Sequence, residues 1–181
     1  NVSVKKVEEY MEALQSLVQE LGVSKVKLAK YLGVSRQMIY NYLEFDDIEA
    51  DDIIGIYATT PGHNCVIISG DKDMRSIPGV FYDFIHNEFY DVSKEEADYR
   101  HLFQTLVGDP ADNYKGCPKI GAVGAKKILD ANPTWEAVVK AFEKAGLNEE
   151  EALVQATVAR ILRYEDYDFN NRSVNLWSPK Q

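Results

Sequence analysis

The chain lacks any long apolar stretch: its longest uninterrupted run, Cys65 to Ile68, is four residues, against the roughly 20 that a membrane-spanning helix needs. No leader pattern of basic, apolar and small residues opens it, so no membrane partner is expected. Cysteine and histidine are as scarce. Cys65 and Cys117 stand far apart, and His63, His86 and His101 have no ligand spacing, which excludes a disulfide framework and the recurrent zinc patterns. A reducing, cytoplasmic setting is expected. Positive charge is also short: 20 Lys and Arg against 29 Asp and Glu leave a net charge of -9, where a phosphate-binding surface should be basic. The deficit is uneven, however. Residues 1–45 hold six Lys or Arg against five Asp or Glu, and residues 46–181 hold 14 against 24.

What the acidic part holds is carboxylate in clusters: Glu49-Ala50-Asp51-Asp52, Ser69-Gly70-Asp71-Lys72-Asp73 and Gly108-Asp109-Pro110-Ala111-Asp112-Asn113. Such groups suit hard divalent cations, which take oxygen ligands and keep several of their waters. Bound cations would offset the local charge and reverse the field felt by a phosphate. In the first cluster the carboxylates open a helix whose one face cannot hold all three. Glu49 and Asp51 are therefore read as metal ligands, with Asp52 further out. Directly behind the third cluster comes Gly116-Cys117-Pro118-Lys119-Ile120-Gly121-Ala122-Val123-Gly124-Ala125-Lys126-Lys127-Ile128-Leu129. A small-residue turn opening a lysine-bearing helix suits a phosphate backbone. The plainer alternative is that acidic residues near helix starts complement the helix dipole and that the lysines merely coat a surface.

Two units are expected, 1–44 and 45–181, within a length that fits one ordinary domain or a small one plus a medium one. Val4, Val7, Met11, Leu14, Val18 and Leu21 recur at three- and four-residue spacings, predicting a helix from Val4 to Leu21 that Gly22 ends. Ser24 and Ser35 are N-cap candidates for helices Lys25–Leu32 and Arg36–Glu44. With Gly33 between them, and Ala29 small where they cross, these two resemble a helix-turn-helix. That places Ser35, Arg36, Gln37, Tyr40 and Asn41 on the exposed side of a recognition helix able to meet DNA. A plain three-helix bundle is the other reading.

Beyond Phe45 the pattern turns α/β. Ala50–Ala58 reads as a helix, Pro61-Gly62-His63-Asn64 as a turn, Cys65–Ser69 as a buried parallel strand and Val80–Ile85 as another strand. Helices are expected at Glu95–Val107, Pro133–Gly146 and Glu149–Arg163, with turn and helix over Gly116–Ala131 and an irregular tail from Tyr164. Asp71 and Asp73 then follow the C-terminal end of a strand, where open parallel sheets place their sites.

The order and wording of these clusters, from about Phe45 to Gln181, resemble the flap endonuclease and 5′-to-3′ exonuclease family, particularly the small exonucleases of T7-like phages. The resemblance implies a partial parallel-sheet nuclease domain with a helix-three-turn-helix and C-terminal helices, in the cytoplasm of a bacterial or phage-infected cell. It implies hydrolysis of DNA phosphodiesters with two Mg²⁺ or Mn²⁺ ions. Asp71 and Asp73 would bridge the ions as the catalytic pair, and Asp109 and Asp112 would complete the second ion's site. Gly121, Gly124, Lys115, Lys119, Lys126 and Lys127 would grip duplex DNA around a potassium ion in the turn; Lys119 stands where many relatives have glycine. The family's first aspartate strand, its second aspartate segment and its helical arch have no counterpart in Asn1–Glu44. That implies weakened metal occupancy and an open sheet edge prone to self-association or to pairing with a complementing chain. The helix-turn-helix in their place suggests a fusion or a partial chain. Three functions follow: a metal-dependent 5′ nuclease acting on duplex, flap or 5′ ends, alone or complemented; a non-catalytic DNA-binding protein on a nuclease remnant; and an N-terminal bundle that props up a fragment.

Overall fold

The computed structural model describes residues 48–179, nearly all of one unit, Ala50–Gln181. The helices expected over 4–44, with Arg36, Gln37, Tyr40 and Asn41, lie outside the described residues.

Helix α1 (Ala50–Ala58) has the expected bounds and buries Ile53, Ile56 and Tyr57. Strand β1 (Val66–Ser69) pairs in parallel with β2 (Gly79–Asp83), Val66 opposite Val80 and Ser69 opposite Asp83. The connection, residues 70–78, contains a 3₁₀ turn, Lys72–Ser76; it is shorter than the roughly dozen residues a parallel crossover usually needs. Strand β3 (Glu88–Val92) returns antiparallel to β2 with Tyr82 opposite Phe89, giving a mixed sheet in the order β1-β2-β3. The sequence reading missed β3. Its turn carries the signal: Asp83 Oδ1 accepts the Ile85 and His86 backbone N–H groups at 3.0 and 3.1 Å, and Asn87 takes φ 58°, a left-handed position that Asn tolerates. Phe84 and Ile85, expected in the strand, lie in this turn.

Side chains alternate across a strand, so Ile67, Phe81 and Val92 point into a core with Met74, Ile77 and Ala97. On the other face Val66 and Ile68 are each 47% exposed and Phe89 66%. The run Cys65–Ser69 is thus a parallel strand buried on one face, not on both. Among the described residues β1 pairs on one side only.

Four helices make a second core: α2 (Lys94–Val107), α3 (Ala122–Ala131), α4 (Trp135–Lys144) and α5 (Glu149–Val158). Ser93 caps α2, its Oγ accepting the Glu96 N–H at 3.1 Å, and Asn148 with Glu151 forms a reciprocal capping box on α5. Leu106, Leu129, Val138, Phe142 and Ala152 meet at the centre.

The expected helix to Arg163 stops at Val158, because the next residues are needed elsewhere. Arg160 and Arg163 are buried, and buried cations require partners. Arg160 pairs with Asp166 at 2.7 Å and Arg163 with Asp98 at 2.6 Å, while the Arg163 backbone N–H also donates to Asp166 at 2.9 Å. Tyr164–Asp166 forms a 3₁₀ turn, and β4 (Tyr167–Asp168) pairs antiparallel with β5 (Ser173–Val174). The tail expected to be irregular is therefore structured. It clasps α1: Asp52 Oδ1 accepts the Leu162 N–H at 2.8 Å, and the Leu162 carbonyl approaches so closely that a Cβ on Gly55 would sit 2.2 Å from its oxygen. Trp177 lies edge-on to His101 and Trp135, at 4.8 and 5.3 Å. Among the described residues no helix is long and apolar enough to cross a membrane.

Candidate functional site

Asp71 and Asp73 sit where β1 ends, as the strand reading predicts. Asp71 caps the 3₁₀ turn, its Oδ1 accepting the Asp73 N–H at 2.8 Å. The Asp71 N–H donates in turn to Ser69 Oγ at 3.0 Å. Ser76 Oγ donates to the Asp73 carbonyl at 2.8 Å, and the Ser76 carbonyl receives the buried Arg163 guanidinium at 2.9 Å. A residue that sequence reasoning missed therefore anchors the turn from behind. Its signal was weak: Arg163 stood inside a stretch that reads as a helix end.

Asp109 and Asp112 come from the loop after α2, which is pinched at its neck. Asp109 and Tyr114 exchange backbone hydrogen bonds of 2.9 and 3.1 Å, and the Cys117 N–H donates to the Leu106 carbonyl at 2.8 Å. Gly108 and Gly116 lie back to back here with φ 73° and 63°. A Cβ on Gly108 would come within 2.5 Å of the Gly116 nitrogen and one on Gly116 within 2.4 Å of the Gly108 nitrogen, and positive φ is cheap only for glycine. Asp109 Oδ1 accepts the Ala111 N–H at 2.7 Å, which curls the loop and presents Asp112 to solvent.

The two loops share a field. Burial first, and then the charges of Asp71, Asp109 and Asp112, hold the half-buried Asp73 carboxyl above its usual value, with Lys72 opposing. The neighbouring Tyr114 hydroxyl is pushed up to about 12 by burial and by Asp109, Asp73 and Asp112. Asp73 with three further carboxylates acting on it is a donor set of one charge sign that a divalent cation would relieve, so the residues fit such an ion in charge and chemistry. Among the described residues no three acidic, His or Cys side chains converge on one metal-sized point. Ligation through retained waters accommodates that spacing. Of the first cluster, Glu49 is exposed and Asp51 half-buried in the first turn of α1, whereas Asp52 is committed to the Leu162 N–H.

The segment after the neck forms a turn in which the Ile120 N–H donates to the Cys117 carbonyl at 3.1 Å. Lys119 adopts φ 65°, the left-handed geometry that type II turns place after a proline. Lys119 thus holds the turn's left-handed position itself. Gly121 opens α3 with no side-chain cap, which leaves the first backbone N–H groups without helical acceptors. The space beside Gly121 is open, and a Cβ on Gly124 would meet only Ile120, at 3.6 Å. Lys115, Lys119, Lys126 and Lys127 are exposed around it, Lys126 paired with Asp130 at 2.8 Å.

No protein-family profile matches the chain. It is similar to an exodeoxyribonuclease of Enterobacteria phage T3, 32% identical over 74% of this chain and 56% of the phage protein. An exonuclease of Escherichia phage T7 is 30% identical over 73% of the chain and 56% of its own length. A 5′-3′ exonuclease of Halalkalibacterium halodurans is 27% identical over 76% and 44%. The chain thus spans little more than half the length of its phage relatives. Over three quarters of its length, then, it is a sequence relative of the phage exonucleases and of the 5′-3′ exonucleases, as its acidic clusters and glycine-rich turn imply.

Proposed function

We propose that this chain is a divalent-metal-dependent 5′-3′ exonuclease or flap endonuclease acting on DNA. The observation that carries the reading is the gathering of Asp71, Asp109 and Asp112 around the half-buried Asp73, at the C-terminal end of β1. Asp71, Asp73, Asp109 and Asp112 would hold Mg²⁺ or Mn²⁺, with Asp51 and Glu49 as further candidates. When bound, such ions supply an activated water and neutralise charge developing on the phosphate. The protein's own part is positional. The Asp71 cap and the Ser76 and Arg163 anchors fix the Asp73 loop, the paired glycines fix the Asp109 loop, and the bare N–H groups of α3 face a strand's phosphates. Turn and helix from Gly116 to Ala131, following α2, serve as the helix-three-turn-helix of this proposal.

The test is incubation of the chain with labelled duplex and flap DNA, in Mg²⁺, in Mn²⁺ and in EDTA, beside Asp71→Asn and Asp73→Asn. Metal-dependent cleavage lost in both variants is expected. Because, among the described residues, no three carboxylates converge on one point, there is a second reading: a DNA-binding protein without catalysis. Metal-independent DNA binding with no cleavage by the folded wild-type chain would select it and remove the first.

A further inference from the structure

A cleft of about 150 Å³ opens beside Asp73 and Asp109, with Lys72, Arg100 and Gln104 in its wall. Several other cations of this unit are paired. Arg160 pairs with Asp166, Arg163 with Asp98, Lys94 with Asp98 and Lys126 with Asp130. Arg100 reaches only Glu96, at a long 3.4 Å, and its buried Nε has no hydrogen-bond partner. Gln104 Oε1 is likewise buried and unpartnered, and a half-turn of its amide exchanges that acceptor for a donor. Among the described residues Lys72 has no hydrogen-bond or ion-pair partner, and it acts on Asp73 only through space. A lysine without a partner among the described residues, an arginine held only by one long ion pair and an amide therefore stand against the wall of an acidic site without neutralising it by contact.

Size decides what they receive. Pockets that enclose whole small molecules run from roughly 300 Å³ upward, whereas this cleft of about 150 Å³ is open to solvent and has room for a single phosphate group. We infer that Lys72, Arg100 and Gln104 form a subsite that seats one backbone phosphate of the nucleic-acid strand, next to the phosphodiester presented to Asp73 and Asp109. The inference rests on the reading of this site as a nuclease centre. It assigns these residues a positioning role: the phosphate is held by charge and hydrogen bonding, which fixes the strand's register without reading its sequence.

The experiment is fluorescence anisotropy of fluorescein-labelled DNA on the full chain in EDTA, across a salt series, with KM and kcat for cleavage in Mn²⁺ measured in parallel. Arg100→Gln and Lys72→Gln are each expected to weaken binding roughly tenfold and to flatten the log–log salt slope by about 0.7 to 0.9. Both should raise KM more than they lower kcat. Arg100→Lys should recover most of the affinity, and Gln104→Glu, which is isosteric but repels an anion, should weaken it at a temperature where the variant is still folded by circular dichroism. Cleavage by the wild type with unchanged affinity, slope and KM in folded variants would overturn the subsite and leave the nuclease reading standing. Loss of affinity in the variants of a chain that never cleaves would support the subsite and remove catalysis. Wild-type DNA binding that is absent even at low salt would overturn both.

Discussion

Replacing Gly108 by alanine tests whether the two acidic loops depend on the glycine neck. Gly108 has φ 73° and ψ 172°, a region that residues with a Cβ enter at a cost of about 1–3 kcal/mol. The added Cβ would also lie 2.4 Å from the Lys115 carbonyl carbon and 2.5 Å from the Gly116 nitrogen. Those are backbone atoms, which cannot swing aside as a flexible side chain can, and overpacking of that kind costs a further 1–3 kcal/mol or so. The total, roughly 2–6 kcal/mol, corresponds to a fall in melting temperature of about 4–24 °C for a chain of this size. The neck opens to relieve the clash, and Asp109 then moves relative to Asp73. Thermal melting by circular dichroism checks the first part, and Mn²⁺-dependent cleavage at a temperature where the variant is still folded checks the second. A melting temperature within about 2 °C of wild type would refute the claim that the back-to-back glycines set this loop.

Gly124→Ala separates stability from recognition. The Cβ meets Ile120 at an ordinary 3.6 Å, so helix propensity should raise stability by about 0.5–1 kcal/mol while DNA affinity falls if a phosphate approaches there; equal or tighter binding by anisotropy would contradict the proposed grip of α3. His101 predicts an acid sensitivity. Its Nε2–H donates to the Ala156 carbonyl at 2.7 Å, and burial, with Arg160 and Arg163 disfavouring a further charge and Asp98 opposing them, pushes it down to about 4. The unfolded chain takes up a proton below about pH 6.5 that the fold refuses, so this stability is complete above that pH and declines toward pH 4, by roughly 3 kcal/mol in all. Urea midpoints measured from pH 7 to 4 should fall more steeply for wild type than for His101→Gln, and parallel curves would rule His101 out.

The elements legible in the sequence are those whose signals are local. The helix Ala50–Ala58, the strand at Val66–Ser69 and the helices after Ser93 and Asn148 declare themselves by periodicity and by capping residues a few positions away. What escaped is what depends on distant partners. The helix stops at Val158 because buried Arg160 and Arg163 need Asp166, a few residues on, and Asp98, 65 positions back from Arg163; the sequence around them does not show that these arginines are buried. The face of β1 is a second case. An apolar run such as Val66-Ile67-Ile68 reads as buried on both sides, yet the composition of a strand does not determine what lies across from it, and here only Ile67 is covered. At the site the same division holds. The clusters containing Asp71, Asp73, Asp109 and Asp112 were legible from sequence, whereas the pairing of Gly108 with Gly116 required coordinates.

Asp52 shows why a run of carboxylates cannot be taken as a unit. It stands beside Asp51 in the same acidic cluster, but its Oδ1 receives the Leu162 N–H at 2.8 Å, so it closes the clasp between α1 and the C-terminal segment. That segment carries Arg163, whose guanidinium holds the Ser76 carbonyl behind the Asp73 turn. Position along the chain thus separates roles that residue type alone does not. One aspartate of the cluster supports the fold that sets the geometry of the other two clusters, and it does so through residues more than a hundred positions away. Removing its carboxylate leaves the Leu162 N–H without that acceptor, and a half-buried donor left unsatisfied costs about 1–3 kcal/mol. That loss falls on stability whether or not a metal is present, whereas under the proposed function substitution of Asp73 should lower the cleavage rate, and substitution of Asp71 should lower it and also loosen the turn that its Oδ1 caps. The three positions are therefore separable by one pair of measurements, a melting curve and a cleavage rate.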